Sequence, residues 1–151
     1  MTTQRKWRRR ALWSAACALG VGGLLLSGAT AVQSADPADL CSDAHPDVGQ
    51  VPRYTQNAGD WPKVVPGDPG GQVYLFYEST GGYNCAVVVS NGGPTRMDIG
   101  IRSDGGAQDT DVVESGTLAG PVLVHAPGVC VQVTAAVGER STLFPSGNCD
   151  E

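Results

Sequence analysis

Glycine and proline cut this sequence into short pieces, and that punctuation excludes most helical folds. The chain holds 21 Gly and 10 Pro among 151 residues. Runs rich in β-branched residues lie between them. A helix needs about 12–15 uninterrupted residues to be even marginally stable alone, and an interior Gly or Pro costs it about 1 or 3 kcal/mol. A strand needs only about five or six residues. Gln72–Glu78 and Tyr83–Ser90 flank Ser79-Thr80-Gly81-Gly82, the pattern of a β-hairpin. Arg96–Ser103 puts Met97, Ile99 and Ile101 on one face. Thr110–Glu114, Pro121–Ala126 and Cys130–Val137 read as further strands, and Val51–Gln56 as a short first one. Ala126-Pro127-Gly128-Val129 has Pro and Gly at the central positions of a type II turn. Asn57–Gly71, with Trp61, Pro62, Pro66 and Pro69, reads as a loop, and the tail after Gly138 as irregular. The expected fold is all-β, a small antiparallel β-sandwich or partly open barrel stapled by two disulfides.

The first residues belong to a different kind of segment. Arg5, Lys6, Arg8, Arg9 and Arg10 precede the uncharged run Ala11–Leu26, and small residues follow it. That order is a secretory signal peptide, with cleavage expected after Ala31 or Ser34. The apolar run is short for a spanning helix and has no basic flank on its far side. Arg9-Arg10-Ala11-Leu12-Trp13 loosely fits a twin-arginine signal, and general secretion is favoured because disulfides form after export. The expected organisation is a signal peptide at 1–31, an extended polar arm at 32–50, and a disulfide-stapled β domain at 51–151; the turn-rich stretch Ala35–Pro52 reads as extended or as a short helical turn.

Removing the leader changes the charge. The whole chain has 10 basic and 15 acidic residues; five of the basic ones lie in the leader, so 5 face 15 in the remainder, a net of −10. Nucleic acid is excluded as a partner, since phosphate contacts need clustered Lys and Arg. An anionic membrane surface repels such a domain. With Cys17 in the leader, Cys41, Cys85, Cys130 and Cys149 remain, an even set with three possible disulfide connectivities. No C-x-x-C pair exists, and only His45 and His125 could complete a zinc site, so neither metal nor cofactor is expected.

The candidates for chemistry are sparse. Ser115 lacks the first glycine of a nucleophile elbow and reads as a turn serine. His45 and His125 have no evident partner in sequence and read as surface or rim residues. Gly105–Asp111 resembles one unit of a glycine-aspartate calcium repeat, but it occurs once and lacks the second glycine. A hairpin loop with solvated aspartates is the simpler reading. Trp61, Tyr74 and Phe76 form a candidate binding face for a polymer, as in carbohydrate-binding modules. By parity Val73, Leu75 and Tyr77 share one face of their strand, and Tyr74 and Phe76 the other. Such a strand is either covered on both sides or carries one exposed apolar face.

"GQVYLFYESTGGYNCAVVV" resembles the core of the spore-associated protein A family, small secreted proteins of filamentous actinobacteria. The matching positions are Gly71, Val73, Tyr74, Leu75, Tyr77, Asn84, Cys85, Val87 and Val88. Ser115-Gly116, Ala119-Gly120-Pro121-Val122, Ala126-Pro127-Gly128-Val129-Cys130 and Cys149 match later motifs of that family. Cys41 is followed by Ser42-Asp43-Ala44-His45 rather than G-x-G-Y, and Val133-Thr134-Ala135 replaces Trp-Gly-Gly. The resemblance implies association with the spore surface, and it brings no established enzymatic activity and no catalytic residues to carry over. Pairing near neighbours in sequence gives Cys41–Cys85 and Cys130–Cys149, the second tying the tail to a strand.

The function expected is that of a secreted, non-enzymatic extracellular protein of the spore or cell surface, structural or adhesive. Its expected partners are spore-surface or cell-wall components. Two alternatives stay open: a cell-wall or carbohydrate polymer-binding module, and a small secreted protease inhibitor presenting a reactive bond from the loop Asn57–Gly71, in which Lys63 sits but no reactive-site residue is marked out.

Overall fold

Apolar side chains at every second position can be buried only if another layer covers them, and this chain supplies two sheets that cover each other. The computed structural model describes residues 35–47, 53–56 and 60–149. A helix, α1 (Pro37–Asp43), precedes nine strands: β1 (Tyr54–Gln56), β2 (Lys63–Val65), β3 (Gly71–Glu78), β4 (Tyr83–Ser90), β5 (Thr95–Ser103), β6 (Gln108–Gly116), β7 (Leu118–His125), β8 (Val131–Val137) and β9 (Arg140–Gly147). One sheet has the order β1-β3-β4-β7, with β2 also paired to β3. The other runs β6-β5-β8-β9. All pairings are antiparallel.

The main core lies between the sheets. Val73, Leu75, Val88 and Val122 come from the first, and Met97, Ile99, Ile101, Val133 and Val137 from the second. Met97, Ile99 and Ile101 are buried as their alternation predicts. Trp61, two residues before β2, meets Phe144 of β9 at 5.9 Å between ring centroids. Gly71 is obligatory beside Val137: a Cβ there would lie 2.7 Å from the Val137 side chain and from the Val89 carbonyl oxygen.

The opposite face of β3 and β4 is also covered. Phe76, Cys85 and Val87 pack there with Cys41 and Tyr54, and Ala38 and Leu40 of α1 lie over them. The doubly covered reading of the central strand is therefore the correct one at Phe76. The arm is a strap that takes the short helical turn at Pro37–Asp43, the second of its two expected conformations, rather than running extended. Asp36 caps α1 by accepting the Ala38 amide at 2.9 Å, and Pro37 stands in the first turn, where its missing N–H costs nothing. Seven residues cannot hold a helix alone; packing of α1 on the sheet and its cross-link through the buried Cys41 do so.

Both disulfides join the expected partners. Cys41 bonds Cys85 across 44 residues, and Cys130 bonds Cys149 across 19. Three other expectations need correction. The segment read as a loop contains β2, where Lys63 pairs opposite Val73. The tail read as irregular forms β9 on the edge of the second sheet. The aspartate-rich run begins β6 rather than a loop. The expected signal peptide lies outside the described residues, as does the start of the expected strand at Val51; the strand formed there is Tyr54–Gln56.

Candidate functional site

A carboxylate at the end of a strand can organise the turn that follows, and Glu78 does so. Its Oε1 accepts the Thr80 amide at 2.7 Å and its Oε2 the Gly81 amide at 2.6 Å. The Gly82 amide donates to the Glu78 carbonyl at 2.9 Å, closing the hairpin. Gly82 has φ +75°, and a Cβ on it would lie 2.5 Å from Pro127, so both the turn and its neighbour require glycine. Glu78 is buried, and burial alone would raise its carboxyl; the amides of Gly81 and Thr80, and then His45, outweigh it and hold the carboxyl below its ordinary range.

The strap brings a histidine onto this turn. His45 follows α1, and its Nε2 lies 4.0 Å from Glu78 Oε2, with both side chains buried. Its Nδ1 accepts the Asp47 amide at 3.2 Å. The ring contacts Tyr54 edge-on at 5.9 Å and Tyr83 at 4.8 Å, and Tyr83 meets His125 at 5.0 Å. Among the described residues, the His45 Nε2 and the Tyr54 hydroxyl are buried without a hydrogen-bond partner. Burial, then the charge of Glu78, then Tyr83 push the Tyr54 hydroxyl well above the usual tyrosine range. His45 is thus buried, not the surface or rim residue that its sequence context suggests, and no motif marks out Glu78. The one local signal was a glutamate immediately before Ser79-Thr80-Gly81-Gly82.

The residues singled out from sequence are dispersed. Trp61 and Phe76 are both buried, at 9% and 5% exposure, on opposite faces of the first sheet. Tyr74 is half-buried, stacked on Phe76 at 6.2 Å, with its hydroxyl donating to Gln72. They form no common binding face. Lys63 sits on a paired strand beside Asp60 and over the Trp61 ring, not on a presented loop. Asp109 accepts the Leu123 amide and Asp111 the Gly120 amide, so neither carboxylate stands in a solvated loop. Ser115 lies at the end of β6 beside the start of β7, whereas His125 ends β7 roughly 20 Å away by strand rise. His45 clusters with His125 through Tyr83, so both histidines lie far from Ser115. Cys41, Cys85, Cys130 and Cys149 are all in disulfides.

The motif positions match this architecture. Val73, Leu75, Cys85, Val87 and Val88 are fully buried. Asn84, also fully buried, donates to the Ala126 carbonyl and accepts from the Asn148 side chain, tying β4 to the C-terminal disulfide region. Gly120, at φ +94°, precedes a cis proline and donates to Asp111. No family model and no solved structure matches the chain. It is 36% identical over 107 residues to the spore-associated protein A of Streptomyces coelicolor (strain ATCC BAA-471 / A3(2) / M145), an alignment covering 67% of this chain and 70% of that protein. With its hairpin, its buried motif positions and its two cross-links in place, the chain belongs to the spore-associated protein A family.

Proposed function

We propose that the protein is a secreted, non-enzymatic component of the spore or cell surface, with a structural or adhesive role. The observation that carries this reading is the 36% identity to a protein named for its association with spores. Three features support it. Two disulfides fix the ends of a small sandwich, which suits an oxidising extracellular space. Glu78, Asp109 and Asp111 use their carboxylates on backbone amides of the fold. Ser115 lies where β6 turns into β7, and the two histidines cluster at the far end of β7.

The partners proposed are spore-surface or cell-wall components. The test is to extract washed spores, vegetative cell walls and culture medium separately and quantify the protein in each by mass spectrometry. Enrichment in the spore extract is expected. Recovery from vegetative medium alone would overturn the reading.

A further inference from the structure

We propose that His45 and Glu78 form a pH-sensitive latch in which protonation of His45 draws its ring onto Glu78 and releases the turn at Asp47. The geometry fixes the starting state. Because Nδ1 accepts the Asp47 amide at 3.2 Å, it carries the lone pair, and the neutral ring bears its proton on Nε2. That proton points into a buried space shared with Glu78 and makes no hydrogen bond at 4.0 Å. Protonation puts a second N–H on Nδ1, directly against the Asp47 N–H. Two donors cannot share that contact, so the turn loses its acceptor. The same proton gives the ring a positive charge beside a buried carboxylate, where attraction is far stronger than in water.

The groups around His45 agree with this direction. Glu78 faces it from β3, the Tyr54 hydroxyl belongs to β1, and Tyr83 packs on it from β4. His125 of β7 stands behind Tyr83 and is exposed. From its own segment His45 meets Asp47 through the amide. Glu78 is the one carboxylate among these side-chain contacts, and its two turn amides keep it ionised as the pH falls. Cys41, four residues before His45, is fixed to Cys85. Acidification therefore moves the exit of the strap while α1 stays anchored. Histidine is the side chain suited to such a change near neutral pH.

The test uses the mature protein labelled with nitrogen-15 and carbon-13, titrated from pH 8 to pH 4.5. The expected result has three parts: a neutral Nε2–H tautomer at His45, an Asp47 amide resonance that moves with the His45 titration, and a severalfold faster Asp47 amide exchange after correction for intrinsic rates. The Thr80 and Gly81 amides keep their protection throughout. His125→Gln leaves the Asp47 response in place, and His45→Phe abolishes its pH dependence. A neutral Nδ1–H tautomer, an Asp47 amide indifferent to His45 protonation, or a His45 that stays neutral to pH 4.5 would each overturn the proposal. Nuclear Overhauser contacts between the His45 ring and the Glu78 side chain strengthen on acidification; contacts that do not change would remove Glu78 from the latch.

Discussion

Asp109 of β6 accepts the Leu123 amide of β7 at 2.9 Å, although the two strands belong to different sheets. Two positions along, on the same face, Asp111 accepts the Gly120 amide at 2.8 Å. β6 and β7 are the edges of their sheets, and an edge strand presents bare N–H groups to solvent and to other chains. Pro121 has no N–H to offer, so the two aspartates reach the donors on either side of it. Side chains from one sheet thus close the edge of the other, and the sandwich is sewn along this seam without a continuous backbone ladder.

Removing either aspartate leaves a half-buried amide without its acceptor. Asp109→Ala and Asp111→Ala are each expected to cost about 1 kcal/mol, near the mean for an intramolecular hydrogen bond. Asp109→Asn keeps an oxygen acceptor and should cost less. Urea unfolding followed by tryptophan fluorescence measures all three. An Asn variant as unstable as the Ala variant would show that charge, not the hydrogen bond, holds the seam.

The two disulfides should differ in worth because they close loops of different length. Loop-closure entropy gives about 4 kcal/mol for the 44-residue separation of Cys41–Cys85 and about 3 kcal/mol for the 19-residue separation of Cys130–Cys149, as upper estimates. Replacing both members of one pair by Ala and comparing urea midpoints tests the order. The first pair also holds α1, so its loss should expose the face of Phe76 and Val87 and raise binding of a hydrophobic dye. The second should leave that face covered.

Alternation made most of the sandwich legible. Met97, Ile99 and Ile101 declare a core face, and the hairpin around Ser79–Gly82 follows from two apolar runs and a glycine turn. What escaped depended on tertiary contacts. β2 lies between Pro62 and Pro66, where composition argues for a loop, and it is a strand because β3 offers it an edge. β9 contains Pro145, tolerable only because that strand is itself an edge. α1 is capped by Asp36 with Pro37 in its first turn, but its seven residues hold only through Cys41 and packing, which no local pattern shows. The His45–Glu78 pair was invisible because only the folding of the strap onto the hairpin brings the two together.

Glu78 should make stability depend on acid. Its carboxyl is held below the ordinary value of 4.5, so it binds protons less readily folded than unfolded. The stabilisation is complete above that ordinary value and is lost as pH falls through the lowered native one. Glu78→Gln offers one oxygen to two amide donors and should cost about 1–3 kcal/mol at neutral pH. Thermal unfolding from pH 7 to pH 2 should show the gap between variant and wild type narrowing below about pH 4.5. A gap constant with pH would assign the loss to packing rather than to the carboxylate.

Tyr54 carries a hydroxyl that is buried and has no partner among the described residues, which burdens the fold instead of supporting it. An orphaned buried donor costs about 1–3 kcal/mol, so Tyr54→Phe should match or exceed the wild type in stability at neutral pH. The phenol is held protonated in the folded state well above the ordinary value of 10.0, by burial first and then by the charge of Glu78 and by Tyr83. The unfolded chain releases that proton near the ordinary value, so wild-type stability should fall as pH rises beyond about 10. The phenylalanine variant lacks this slope. Urea unfolding at pH 7, 9 and 10.5, with absorbance at 295 nm to count ionised tyrosines, separates the two effects. A Tyr54→Phe protein less stable than wild type at pH 7 would mean that the hydroxyl has a favourable partner after all.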